Sequence, residues 1–298
     1  MKPEYLYVTI AIFSWGSSAT IVKLFFRGLD TNYVIAVSLF LSFLCMLLLL
    51  AVQGKLRLLK ALDGKTLARM LGIGILGVYL YNYFYQMGVG LLPAQQAFVI
   101  NYLWPALIIV FSRPILGEPY TPSKLFAVAL AFLGVALVAT NGDLGTLLGG
   151  QRMGILYSLL AAVCYGLYSP LAKKQTYDPD LALMIVFGAT AVWCLFLSVR
   201  SGTVCMPTAF QWVGLVLFGV VVNALAYMFW VKALSCGNTA VMSNLIYLTP
   251  IVSLVFTHVV LGEEITFWSV FGLLLICLGA AVQMWGQSGE AAKGRRPS

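Results

Sequence analysis

Residues 102–118 read YLWPALIIVFSRPILGE, and residues 247–263 read YLTPIVSLVFTHVVLGE. Laid over each other without a gap, they match Tyr102 to Tyr247, Leu103 to Leu248, Pro105 to Pro250, Val110 to Val255 and Phe111 to Phe256. The register continues through Leu116-Gly117-Glu118 onto Leu261-Gly262-Glu263, then through Thr121 and Thr266, Phe126 and Phe271, and Leu133-Gly134 and Leu278-Gly279. A second register, shifted by five residues, pairs Gly16 with Gly166, Lys23 with Lys173 and Asp30 with Asp180. The shift falls in connections after the second and seventh apolar segments, where insertions are tolerated. Single leucine matches are cheap in apolar helices, but LGE followed by Thr, in register with Tyr and Pro, marks an internal duplication.

The solvent of this duplicated chain follows from its composition. Of 298 residues, 61% are hydrophobic and 9% charged, whereas a soluble domain carries about 25% charged residues. Lipid must therefore cover much of the outside, and backbone groups in hydrocarbon must be satisfied internally, by helices or closed barrels. Apolar stretches of about 20 residues fit helices, while barrel strands would alternate over about 10. The pattern predicts spans at Tyr5–Leu24, Tyr33–Val52, Met70–Leu91, Ala94–Leu116 and Pro122–Thr140, then Met153–Ala172, Leu181–Val199, Gln211–Leu234, Thr239–Leu261 and Phe267–Trp285. A glycine-rich linker, NGDLGTLLGGQR, separates the two sets. The first span is too long and too interrupted by Ser14-Trp15-Gly16-Ser17-Ser18 to read as a signal peptide.

Lysine and arginine placement orients the spans. With the N-terminus cytoplasmic, the inner segments hold fourteen of the basic residues and the outer ones only Lys23, Arg27, Arg152 and Arg200. Both termini are then cytoplasmic. The net charge of +8 reads as a topology signal, not a nucleic-acid interface, because no clustered basic face on a soluble element accompanies it. Residues 287–298 read as a disordered basic cytoplasmic tail near anionic headgroups. Six cysteines carry no CxxC or Cys/His metal spacing, and His258 stands alone, so no metal, cofactor or disulfide framework is expected. The expected fold is thus an all-α membrane protein of ten transmembrane helices, with repeats at 1–145 and 151–286. Five helices per repeat is an odd number, so the second half inserts upside down. Inverted repeats of this kind are a transporter architecture, with substrate near the midplane between them.

The ten spans, the repeat, the Trp15-Gly16 pair and the doubled LGE resemble the EamA family of the drug/metabolite transporter superfamily, over about residues 5–286. The string NYLWP, Asn101 to Pro105, is also similar to the fourth span of bacterial aromatic amino acid exporters in that superfamily. The resemblance implies a basket-like central cavity lined mainly by spans one, three, four, six, eight and nine.

Candidate lining residues follow from polarity at helical spacing. In the third span Tyr79, Asn82, Tyr83 and Gln86 share one face, and in the eighth Asn223, Tyr227 and Trp230 do. Amides in lipid are costly, so these faces look at a cavity, or else at hydrogen-bond partners on a neighbouring helix. Phe98, Asn101 and Tyr102 precede Pro105, and Asn244 and Tyr247 precede Pro250. Each mid-helix proline frees a carbonyl that needs a polar neighbour, which makes Pro105 and Pro250 candidate kink and gating positions, or plain bundle-shaping kinks. Trp15, Tyr165 and Tyr168 complete the substrate-binding candidates, an aromatic set suited to apolar or aromatic cargo. Trp212, Trp268 and Trp285 sit at span ends and read as interfacial anchors.

Glu118 and Glu263 lie just past a span and read as favourable charges at the start of the next helix, with Thr121 and Thr266 as N-caps. Lys23 and Lys173 read as snorkelling span ends. All ten acidic residues fall in tails, loops or span ends, so facilitated diffusion, or weak coupling through another group, is expected over a buried carboxylate relay. No nucleophile–base pair or paired central carboxylate points to an enzyme. The expected function is export of small metabolites, amino acids foremost, from the bacterial inner membrane by alternating access. Other amphipathic metabolites or drugs are the alternative cargo, and a sensor or assembly subunit the alternative class. The expected partners are a small-molecule substrate and the lipid bilayer, with no nucleic acid; the sequence does not fix the oligomeric state, and a monomer is compatible with it.

Overall fold

The computed structural model describes residues 2–143, 151–237, 241–242 and 245–293, with side chains described as far as residue 284. Every regular element among them is helical. In chain order these are α1 (Pro3–Phe25), α2 (Thr31–Val52), α3 (Gly64–Leu91), α4 (Ala94–Leu116), α5 (Pro122–Thr140), α6 (Arg152–Lys173), α7 (Pro179–Ser201), α8 (Ala209–Cys236), α9 (Ile246–Leu261) and α10 (Phe267–Lys293). Among the described residues, nine helices are long and apolar enough to cross a membrane, and α9 is a shorter apolar helix. Large apolar side chains such as Val192, Val259 and Phe267, each about 70% exposed, cover the outside as lipid-facing residues must. Residues 287–293, expected in a disordered tail, continue α10, and residues 294–298 lie outside the described residues. Residues 144–150 of the linker also lie outside them.

Helix ends follow local chemistry that recurs in both halves. Thr121 accepts from the Lys124 amide at 3.4 Å and Thr266 from the Ser269 amide at 3.1 Å, so both threonines are the N-caps expected of them. Gly117 and Gly262 end α4 and α9 in the left-handed region, with φ of 74° and 70°, where a side chain would be strained. Asp30 caps α2 through the Tyr33 amide, and the matching cap of α7 is Asp178, two residues before the Asp180 that the sequence register pairs with Asp30.

Irregularities recur as well. A π-helical stretch runs Ile75–Leu80 in α3 and Leu217–Leu225 in α8. The α-helix in α4 breaks after Asn101 and resumes at Trp104; α9 opens with a 3₁₀ turn, Ile246–Leu248, and resumes at Thr249. Both resumptions lie one residue before the proline, which cannot donate to the preceding turn.

The packing pairs one half with the other. α5 lies on α10, α2 on α7, α3 on α6 with α1 on α8, and α4 on α6 with α1 on α9. Close approach at the last two contacts uses repeat-related residues. A Cβ on Gly16 would sit 2.7 Å from Val252 Cγ1, and one on Gly166 would sit 2.6 Å from Leu107 Cβ. Small residues let helices approach where lipid offers no hydrophobic drive.

The two ends of the bundle differ. At the first, Lys23 Nζ donates to the carbonyls of Val89 (2.9 Å) and Leu92 (2.7 Å), and Glu263 accepts from the amides of Ala94 (2.6 Å) and Gln95 (3.0 Å). At the second, Glu118 meets Lys173 at 2.9 Å and Lys124 at 3.7 Å, and Lys55 meets Asp178 at 3.0 Å and Asp180 at 2.7 Å. The Lys173 hydrogen bond, reinforced by Lys124, holds the Glu118 carboxyl below the usual carboxylate range. Glu263 thus serves a helix N-terminus, but that of α4, far away in sequence, and not the start of α10 as expected; Thr266 already supplies the cap there.

Candidate functional site

An aromatic chain occupies the middle of the bundle. Tyr85 stacks on Tyr81 with ring centroids 5.9 Å apart, and Tyr81 meets Tyr165 at 5.0 Å. Tyr165 continues to Trp104 at 5.2 Å and to Tyr168 at 5.8 Å; Trp104 leads to Tyr102 at 5.7 Å. Tyr102 then contacts Phe98 at 6.0 Å and Tyr247 at 6.4 Å. Helices α3, α4, α6 and α9 each contribute, so the chain crosses between the halves. Four hydrogen bonds between helices hold its members or end there. Ser18 and Tyr85 share one of 2.8 Å, Asn101 Nδ2 donates to Tyr81 Oη at 3.4 Å, Tyr102 Oη donates to the Ile246 carbonyl at 3.1 Å, and the Cys277 thiol reaches the Tyr247 carbonyl at 3.9 Å.

The bundle also holds buried polar atoms with no hydrogen-bond partner among the described residues: Thr20 Oγ1, Gln86 Nε2, Gln95 Oε1, Asn101 Oδ1, Asn223 Nδ2, Thr249 Oγ1 and Ser253 Oγ. A buried polar atom left unpaired costs about 1–3 kcal/mol, so each of these atoms calls for a partner. Two cavities open at the Glu118 end. One, of about 280 Å³ including its mouth, lies between α4, α5, α9 and α10 and is lined by Tyr102, Pro105, Tyr247 and Gln283. The other, of about 390 Å³, lies between α3, α6 and α7 against Tyr168 and Val78.

Phe98, Asn101, Tyr102, Pro105, Tyr165, Tyr168 and Tyr247 come together in or beside the aromatic chain, and Gln86 follows Tyr85 directly on α3. Trp15 and Trp230 form a separate edge contact at 6.1 Å between α1 and α8, and Pro250 is buried in α9 beside Thr249. Tyr227 packs with the cluster of α2 and α7, and Asn223 lies in the π stretch of α8. Tyr79 and Tyr83 also face α2 and α7, where Tyr79 donates to Asn32 at 3.4 Å. Asn82 donates to the Val78 carbonyl of its own helix at 2.9 Å. Asn244 lies outside the described residues.

Three members of the chain, Tyr81, Tyr85 and Trp104, are not among the candidate residues that the sequence offers. In YNYFYQ tyrosines recur at alternate positions, so two helical faces are equally aromatic, and the π stretch changes the phase of the residues before Tyr81. Periodicity alone could not choose between those faces.

Residues 2–140 and 152–285 match the EamA-like transporter family. The chain belongs to that family. It is a polytopic membrane transporter of the drug/metabolite transporter superfamily and, as a transporter, not an enzyme; among the described residues no group of His, Cys, Asp and Glu could hold a metal ion. Relatives of this EamA protein include the uncharacterized transporter YvbV of Bacillus subtilis, 28% identical over 68% of this chain and 67% of that one. The aromatic amino acid exporter YddG of Ancylobacter novellus is 25% identical over 60% of this chain, and the match spans 63% of the exporter. A transporter of Clostridium kluyveri is 25% identical over 95% of this chain and 93% of its own. A crystal structure at 22% identity superposes with a TM-score of 0.69 over 94% of this chain and 96% of that chain, which speaks for the fold.

Proposed function

We propose that this EamA transporter exports amino acids with aromatic or other hydrophobic side chains across the bacterial inner membrane by alternating access. Its architecture in this reading is ten transmembrane helices in two inverted five-helix halves, spanning 1–145 and 151–286, with both termini cytoplasmic. The observation that carries the reading is two buried, unpartnered amide atoms: Asn101 Oδ1, an acceptor on the side chain whose Nδ2 donates to Tyr81, and Gln86 Nε2, a donor on α3. An α-ammonium group suits the first and a carboxylate the second. The rings of Tyr81, Tyr165 and Trp104 receive the side chain by stacking and area burial. A relative named as an aromatic amino acid exporter supports the same cargo. The remaining lining residues, among them Trp15, Tyr168, Tyr227 and Trp230, shape the path as the halves rock. Transport is facilitated, since no acidic residue lies centrally in a span.

The test is uptake of a labelled metabolite panel into proteoliposomes, with and without a pH gradient. Saturable flux of aromatic amino acids, indifferent to the gradient, is expected. Gln86→Ala and Asn101→Ala should each lower it about tenfold, the worth of one good hydrogen bond. Phe132→Ala, on the lipid-facing side of α5, should leave it unchanged. Flux of other amphipathic compounds without amino acids would move the cargo to that class. Equal effects of all three substitutions would remove the site.

A further inference from the structure

Pro250 has no N–H, so the carbonyl of Ile246, four residues earlier, loses its α-helical donor and keeps only the 3₁₀ bond from the Thr249 amide. Tyr102 Oη, on α4, donates to that carbonyl at 3.1 Å. The repeat register maps Tyr102 onto Tyr247, Ile246 onto Asn101 and Pro250 onto Pro105. The related bond would run from Tyr247 Oη to the Asn101 carbonyl, which Pro105 deprives of its donor in the same way. That bond is not formed. Tyr247 Oη has no hydrogen-bond partner among the described residues, its ring stands edge-on to Tyr102, and it lines the cavity beside Pro105.

The asymmetry extends along both helices. From the break to the Lys23 end, α4 and α9 are tied at two points: Tyr102 to Ile246 at the middle, and Glu263 to the amides of Ala94 and Gln95 at the tip. Toward the Glu118 end, the segment of α4 after its break borders a cavity instead, and Glu118 is engaged by Lys173 and Lys124. Among the described residues, the Lys23 end is thus tied where the kink carbonyl has a tyrosine donor, and the Glu118 end borders a cavity where it has none.

We propose that Tyr102 and Tyr247 are reciprocal positioning residues: whichever hydroxyl caps the opposite kink carbonyl selects which end of the transporter is closed. This rests on the alternating-access reading. In the state described here Tyr102 donates and the Lys23 end is shut. In the exchanged state Tyr247 donates to Asn101 and the Glu118 end is shut. Carbonyl and hydroxyl both sit in low dielectric, where exchanging one tyrosine hydrogen bond for the other is nearly neutral and losing both is not.

Amide hydrogen–deuterium exchange of the full chain in lipid nanodiscs tests this. Tyr102→Phe keeps the ring and removes the donor. It should raise exchange at Ala94–Gln96 and lower it at Gly117–Tyr120, changing the ratio of the two about tenfold, as one buried hydrogen bond does. Tyr247→Phe should shift the ratio the other way, and the double variant should return it near the parent value. Shifts in the same direction for both single variants, or none, would overturn the switch and reveal ordinary packing roles. Flux is measured on the same preparations. Opposed shifts without saturable flux would sink the transport reading and spare the switch; intact flux with parallel shifts would sink the switch alone.

Discussion

Removing the carboxylate of Glu263 should cost far more than removing that of Glu118, although the two are equivalent by sequence repeat. In Glu263→Ala the amides of Ala94 and Gln95 lose acceptors at 2.6 and 3.0 Å, and Ala94 and Gln95 are themselves buried. Each hydrogen bond to a charged acceptor contributes about 1.5–3 kcal/mol, and a half-exposed carboxylate calls for the lower bound, so the pair is worth about 3 kcal/mol. The α4 N-terminus adds a favourable dipole, already counted in those bonds. Glu118 instead meets Lys173 and Lys124 with side chains 37%, 68% and 15% exposed, and such pairs contribute about 0–1 kcal/mol. At about 2 °C per kcal/mol for a chain of this size, Glu263→Ala should melt about 6 °C lower and Glu118→Ala within about 2 °C of the parent. Thermal unfolding of the purified protein in one detergent, followed by loss of the monodisperse peak, gives both numbers. Equal losses, or a larger loss for Glu118→Ala, would refute the claim that only one end of the bundle is locked.

Gly16→Leu and Gly166→Leu should each destabilise by about 1–3 kcal/mol, the usual range for forced overpacking, because each meets a repeat-related neighbour within 2.7 Å. The same melting assay checks this, and a neutral result for one alone would break the two-fold relation. The Glu118–Lys173 pair predicts a pH effect with a definite sign. The folded carboxyl titrates below its ordinary value, so its small contribution is complete above the unfolded pKa of about 4.3 and disappears as pH falls through the depressed folded pKa. The melting difference between the parent and Glu118→Gln should therefore vanish at the acid end and be constant above pH 5 or so; a difference growing on acidification would contradict the assignment.

Much of the site was legible because proline and tyrosine announce their needs. Pro250 removes the α-helical donor of the Ile246 carbonyl, which keeps the Thr249 amide, and a tyrosine near the kink adds a second donor, although it is Tyr102 of the other half and not Tyr247 of the same helix. Faces of α3 were less legible. Tyr79 and Tyr83 share the spacing of Gln86, yet they pack against α2 and α7, while Tyr81 and Tyr85 enter the central chain. A π turn between Ile75 and Leu80 rotates one part of the helix against the next, and no local propensity distinguishes it from an α turn here.

By itself the sequence determined that the chain is a duplicated bundle of apolar helices, because lipid solvation and backbone hydrogen bonding leave helices as the form for such stretches. It also determined where caps and kinks fall, because threonine, glycine and proline act on the residues next to them. Tertiary structure alone decided which of two equivalent residues is engaged: Tyr102 over Tyr247, and Glu263 at the α4 N-terminus while Glu118 pairs with lysines. A repeated sequence is symmetric between its halves, but a single folded state gives repeat-related residues different neighbours, because each contact depends on how both halves pack.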